Sequence, residues 1–316
     1  MMLDLVPTLD LAKAELSLDA LGPLDIACRD HGFFLLKNHG IQPQIDDMWS
    51  ASEGFFAQST SEKRKIMRTQ EQPLGYYDRE LTKQQRDLKE VFDFMQPRTD
   101  HSDINQWPDN QVFYNAMTQF FEACSAVAVR TQALVYTAIA GEPAASSKLP
   151  MGDPRTSTVR LNHYPLTDPL TTPEQASTAS LGPVALGHHT DPGVLTLLVQ
   201  DAIGGLQTHS EKHGWIDIPP SPGSIVVNLG DAMQVWSNDT YRAAIHRVGP
   251  MSDSARFSTP YFFNPKNDAV LKPLSKLSAE PPVYQSFKWR DYIKARVDDN
   301  YSDMGDDDIQ INRFRH

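Results

Sequence analysis

At residues 188–191 the chain reads His-His-Thr-Asp. On an extended strand successive side chains alternate, so His189 and Asp191 share one face while His188 and Thr190 share the other. Two ligand types one residue apart can both reach a metal ion held against that face. His246, in Ala-Ala-Ile-His-Arg-Val, is the third donor that fits. Two imidazoles and a carboxylate on one face of an octahedron leave three positions open, as iron(II) needs to take a bidentate co-substrate and O2 together. The same donors could hold zinc in a hydrolase, and His-x-Asp alone is a common chance pair. The remaining histidines (His31, His39, His101, His163, His209, His213, His316) read as surface or hydrogen-bonded core residues, and His188 as a supporting neighbour of the ligands.

A second motif narrows the chemistry. In Arg256-Phe257-Ser258, a strand places the guanidinium and the hydroxyl on one face. Arg grips a carboxylate with two parallel bonds, and Ser can add a third. A buried Arg is costly without an anion, so a diacid co-substrate would account for it. Arg160, Asn162 and Tyr164 likewise alternate onto one face of TSTVRLNHY, as pocket lining or as a solvated strand face.

The elements that must position these residues fall into two halves. Residues 1 to about 150 read as mainly helical with one early strand. LDIACRDHG is an amphipathic helix closed at Gly32, FFLLKNHG is a buried strand, and Ile45 to about Met67 is helical with a new start at Ser59-Thr60-Ser61. A long helix spans about Asp109 to Ala140, stopped by Gly141 and Pro143. After residue 150, short strands recur at TSTVRLNHY, GVLTLLVQ, GWIDI, SIVVNL, AIHRV and RFSTPYFF, separated by turn clusters, as in a sandwich or jelly roll. PLTDPLTTPEQASTASLG reads as a surface excursion and DDNYSDMGDDD as a solvated acidic stretch.

Composition excludes some function classes. The 316 residues carry 29 Lys and Arg against 40 Asp and Glu, a formal charge of −11 with no long basic run, which argues against nucleic acid as a partner. No apolar run of about 18–20 residues is visible, so no membrane span is expected. The N-terminus lacks the basic flank of a secretory signal, and the expected location is cytoplasmic. Cys28 and Cys124, both in helical segments, are expected to be reduced buried thiols.

The chain resembles the 2-oxoglutarate/iron(II) oxygenases of the isopenicillin N synthase-like family, which includes flavonol synthase and gibberellin oxidases. The resemblance is carried by GHHTDPGVLTLLVQDAIGGLQTH, GWIDIPPSPGSIVVNLGDAMQVWSN and IHRVGPMSDSARFS, and in the first half by DIACRDHGFFLLKNHGI, FFAQSTSEKRK and GYYDRE. It implies a mainly β fold with α elements: a double-stranded β-helix (jelly roll) over residues 151–316, flanked by a mostly helical, substrate-shaping region over residues 1–150. It also implies Fe(2+) on His189, Asp191 and His246, and 2-oxoglutarate on Arg256, Ser258, Tyr164 and Asn162, with O2 as oxidant. Arg160 and Phe262 fall where relatives contact substrate. Tyr77 and Phe94, with Tyr76, Phe92, Met95 and Trp236, are aromatic or apolar candidates for lining the pocket. The implied reaction oxidises a C–H bond of a small-molecule metabolite, by hydroxylation, desaturation or cyclisation, and releases succinate and CO2. A monomer or weak dimer is expected.

Two alternatives stand beside this reading. Isopenicillin N synthase-like oxidases use the triad without 2-oxoglutarate, but this chain has Pro73-Leu74-Gly75 where the synthase places an arginine for its tripeptide. The synthase also has a near-terminal glutamine able to reach iron. Gln310 stands in such a place here, in surroundings that do not match. The other alternative is a catalytically silent jelly-roll binding protein, against which every ligand position is filled.

Overall fold

The computed structural model describes residues 5–15, 17, 21–82, 85–98, 103–142, 148–182, 185–249, 254–301 and 310–316. In the first half, strands β1 (Thr8–Asp10) and β2 (Phe33–Lys37) flank helices α1 (Leu11–Ala14) and α2 (Gly22–Asp30). Gly32 ends α2 in the left-handed region, at φ 71°, where a side chain would run into the Arg242 carbonyl. Helix α3 (Gln42–Phe56) begins with Pro in its first turn, and α4 (Thr60–Lys63) starts where Ser59 Oγ accepts from the Glu62 N–H at 3.3 Å. Strands β3 (Gly75–Tyr77), β4 (Leu81–Thr82), β5 (Gln85–Arg86) and β6 (Glu90–Met95) follow. Helix α5 (Gln111–Ala140) is capped by the Asn110 side chain and stopped by Gly141 at φ 70°.

The second half contains β7 (Thr158–Tyr164), α6 (Thr172–Ala176), β8 (Leu186–His189), β9 (Leu195–Gln200), β10 (Leu206–Ser210), β11 (Gly214–Asp217) and β12 (Ile225–Leu229). Helix α7 (Asp231–Trp236), β13 (His246–Val248), β14 (Arg256–Phe263), β15 (Val270–Leu271), β16 (Phe287–Lys288) and α8 (Trp289–Tyr301) complete it. An eight-stranded sheet in the order β1-β2-β12-β9-β14-β7-β6-β3 faces a four-stranded sheet in the order β11-β10-β13-β8, the jelly-roll sandwich expected from the strand pattern.

The larger sheet separates two cores by side-chain parity. Phe34, Leu197, Val227 and Tyr261 point to one face, against α3 and α5. Leu35, Leu198, Val226 and Tyr164 point to the other, where Leu206, Ile218 and Val248 meet them. The candidate site residues of β7 and β14 stand on this second, inter-sheet face.

Three expectations need correction. The sequence pattern gives the first half one strand, yet β1, β2, β3 and β6 all join the large sheet. β2 and β6 reach the sheet through distant partners, β12 and β7, and strands of three to six residues leave little local signal. The sequence shows no long uninterrupted apolar stretch, yet α5 is long and apolar enough to cross a membrane by length and composition. Its Phe113, Met117, Phe121 and Cys124 are buried in the helix-side core. Third, β8 ends at His189, so Asp191 follows the strand rather than lying within it.

Cys28 and Cys124 are free and buried, and burial pushes both thiols up. The excursion at residues 165–182 is mostly exposed, as expected, but tethered. Asp168 pairs with Arg86, and Glu174 pairs with Arg64 at 2.8 Å and Arg79 at 2.7 Å. Pro143 lies outside the described residues, as do residues 302–309 of the C-terminal acidic region.

Candidate metal and co-substrate site

His189 and His246 are brought together because β8 and β13 pair directly at these two residues. Their ring centroids lie 4.3 Å apart. Asp191 Oδ1 stands 3.7 Å from His189 Nε2 and 3.8 Å from His246 Nε2. One donor atom from each of the three residues falls within 4.8 Å of the others, a set able to hold a metal ion. Each imidazole donates its Nδ1–H to a carbonyl, His189 to Gly187 and His246 to Ala244, both at 2.9 Å. That fixes the tautomer and leaves each Nε2 lone pair for a metal. Burial, helped by neighbouring His246, brings His189 down to about 3, which keeps it neutral and ready to ligate.

Asp191 is orientated just as closely. Its Oδ2 accepts from Thr196 Oγ1 at 2.5 Å and Asn228 Nδ2 at 2.8 Å, leaving Oδ1 toward the histidines. Burial alone would raise this carboxyl. The neighbouring imidazoles and the two hydrogen bonds hold it below the usual range, so it stays an anion. Sequence reasoning missed Thr196 and Asn228, though each is a polar residue inside an apolar strand, a signal that burial needs a partner.

The turn carrying Asp191 is fixed by close packing. A Cβ on Gly230 would collide with the Gly193 carbonyl, and one on Gly193 would stand 2.6 Å from Asn264 Oδ1. With only hydrogens there, the Asp231 N–H reaches the Asp191 carbonyl at 2.8 Å. His188 points the other way, exposed, its ring 6.4 Å from Trp215. The other described histidines outside the triad are buried and hydrogen-bonded, as His31 is to Leu5, or lie nearer the surface, as His213 does.

Arg256 and Ser258 share the inter-sheet face, in register with Tyr164 and Asn162 across the β14–β7 ladder. Arg256 is fully buried. Its Nε donates to the Gly204 carbonyl at 2.7 Å, one terminal nitrogen to Ser258 Oγ at 3.0 Å, and the other to Gln200 Oε1 at 3.3 Å. Its guanidinium carbon stands 5.1 Å from the centroid of the Tyr164 ring. Among the described residues no carboxylate pairs with it. Asn162 is buried and turned to the Ser258 carbonyl at 3.4 Å. Gln200 and Gly204 were also missed by sequence reasoning.

Further along this face, Phe262 lies opposite Thr158 and Thr196, half-buried next to the residue that steadies Asp191. Tyr77 shares the face through its pairing with Val91 and lies under the Arg68 guanidinium at 4.1 Å. Arg160 also points inward, but Asp93 binds it at 2.7 and 2.8 Å and Glu80 at 2.8 Å. Burial would raise the Glu80 carboxyl, and Arg160, Lys89 and Arg68 hold it well below its usual range. Phe94 is a correction. Parity turns it to the helix side, where its ring is 5.2 Å from Trp107 and 6.3 Å from Phe121. Tyr76, Phe92 and Trp236 are likewise in the helix-side core.

Comparison with known proteins agrees with this geometry. Residues 155–265 match the 2OG-Fe(II) oxygenase superfamily model, and residues 6–110 match that of the non-haem dioxygenase in morphine synthesis N-terminal region. The chain is 31% identical to gibberellin 2-beta-dioxygenase 4 of Arabidopsis thaliana over 288 residues, covering 88% of each chain. It is 32% identical to feruloyl CoA ortho-hydroxylase 1 of the same plant, covering 92% of this chain and 78% of the relative. The crystal structure of a full-length Neurospora crassa protein in complex with alpha-KG superposes with a TM-score of 0.79 at 26% identity, covering 93% of this chain and 96% of that one.

Proposed function

The chain belongs to the 2OG-Fe(II) oxygenase superfamily, and from that premise we propose that His189, Asp191 and His246 hold its iron while Arg256, Ser258, Tyr164 and Asn162 receive 2-oxoglutarate. The enzyme is a 2-oxoglutarate-dependent dioxygenase acting on a small-molecule substrate. Iron held by His189, Asp191 and His246 would supply the O2 chemistry that links oxidative decarboxylation of 2-oxoglutarate, to succinate and CO2, with oxidation of a substrate C–H bond. The protein's own contribution is binding, orientation and exclusion of water.

The observation that carries the co-substrate assignment is the buried Arg256 with no carboxylate partner among the described residues. Gly204, Gln200 and Ser258 hold its fork in place, and Tyr164 walls one side. A dicarboxylate whose far end meets this cation can lay its keto-acid end toward the triad. Such pre-organisation lowers the cost of binding. Phe262 and Tyr77 line the substrate's side of the same face. Arg160 shapes the wall as an ion pair with Asp93 and Glu80 rather than as an open anion receptor.

Anaerobic titration of the iron(II) protein with 2-oxoglutarate tests the reading. A visible metal-to-ligand charge-transfer band in wild type that is lost in Arg256→Ala while iron stays bound supports both assignments. Iron bound without a band favours an oxidase that takes its substrate directly on Arg256 and Ser258.

A further inference from the structure

The C-terminal end of the chain grips the turn between two of the candidate ligands, and Thr190 is its handle. Thr190 lies between His189 and Asp191, just past the end of β8. Its carbonyl accepts from an Arg296 terminal nitrogen of α8 at 2.8 Å. Its hydroxyl donates to Gln310 Oε1 at 3.3 Å. Arg296 is aimed by the buried Asp231 carboxylate at 3.4 Å, and Tyr292 donates to that same carboxylate at 2.6 Å. The Asp231 N–H holds the Asp191 carbonyl. One ion pair thus touches the ligand turn from both sides, through Thr190 and through Asp191.

We infer that Arg296, aided by Tyr292 and Gln310, is a positioning residue for the metal, clamping the 189–191 turn so that His189 and Asp191 converge. The inference rests on the triad assignment above. Electrostatics makes the sign of its test informative. Arg296 is a cation that donates to the carbonyl of Thr190, the residue between two of the ligands, so by charge alone it would oppose a divalent ion. Removing a mere neighbouring charge would tighten metal binding, whereas removing a clamp loosens it.

Cobalt(II) titration of the metal-free full chain, followed by the visible d–d spectrum of the bound ion, separates these cases. Arg296→Ala is expected to weaken cobalt binding about ten- to a hundredfold, as loss of outer contacts to metal ligands does, and to alter the spectrum. Arg315→Ala is the matched control. It breaks a C-terminal ion pair to Asp239 at 2.6 Å that does not touch the ligand turn. It should lower the melting temperature and leave cobalt affinity as in wild type. Where Arg296→Ala does not fold, Tyr292→Phe, which deletes the hydrogen bonds to Asp231 and from Arg296 but no charge, is expected to weaken cobalt binding several-fold. Unchanged or tighter binding in the α8 variants overturns the clamp, and so does an equal loss in Arg315→Ala. If wild type itself fails to bind cobalt, the triad assignment falls and takes the clamp with it.

Discussion

Replacing Arg256 by Met removes the buried cation while nearly keeping the side chain's reach. Truncating one side of a buried, hydrogen-bonded charge pair costs about 2–5 kcal/mol. At about 1.4 kcal/mol per decade that is roughly 30- to 4,000-fold weaker 2-oxoglutarate binding. The metal-free protein without 2-oxoglutarate should change far less. The donors lost to Gly204 and Ser258 cost stability, but the desolvated charge disappears with them. Two measurements check this. In anaerobic titration the charge-transfer band should need at least about thirtyfold more 2-oxoglutarate. In thermal denaturation, 2-oxoglutarate at about 100 times its wild-type Kd should stabilise wild type by about 2.7 kcal/mol, and the variant by under about 1 kcal/mol. Binding within about threefold of wild type would refute the idea that this guanidinium anchors the co-substrate. Loss of bound iron in the variant would show that the residue supports the metal centre instead.

Asn228→Ala should weaken iron(II) binding about ten- to a hundredfold in metal titration, because Asp191 Oδ2 loses one of its two orienting donors. Phe94→Leu and Phe262→Leu should behave oppositely. The first lowers the melting temperature with KM unchanged, since Phe94 packs on Trp107 away from the site, and the second changes KM with little loss of stability. Burial raises the Glu90 carboxyl, but hydrogen bonds from His163, Lys63 and Tyr76 bring it down from 4.5 to about 2. A carboxyl lowered in the folded state stabilises it above its unfolded pKa, and that contribution is lost as pH falls from about 4.5 toward 2. It is of order 3 kcal/mol at about 1.36 kcal/mol per pH unit, so a Glu90→Gln variant should show a flatter acid limb in denaturant-measured stability between those pH values.

The centre of the site was legible because it depends on short-range parity. Arg256-x-Ser258 puts two side chains on one face of β14 whatever the strand pairs with, and His189 and Asp191 stay close because only one residue separates them, although Asp191 lies past the end of β8. The residues that steady them were not legible. Thr196 reaches Asp191 within a few residues, but Asn228 reaches it through the β12–β9 ladder, a register no local pattern announces. Phe94 goes astray for a related reason. β6 carries apolar residues on both faces, so its pattern does not say whether Phe92 and Phe94, or Val91 and Asp93, look toward the smaller sheet. Arg160 falls on the face its strand pattern indicates, yet its partner Asp93 lies 67 residues away, so its ion pair was not legible.

The strand order of the large sheet also bears on how the chain is made. Strands β1 and β2 leave the ribosome early, but the neighbour that joins them to the sheet, β12, comes nearly two hundred residues later in the order β1-β2-β12-β9. At the other edge, β3 and β6 await β7. The nascent protein therefore carries unpaired strand edges at both ends of a sheet whose middle has not yet been translated. Such edges invite pairing with other chains during synthesis, and pairing with the late strands closes them.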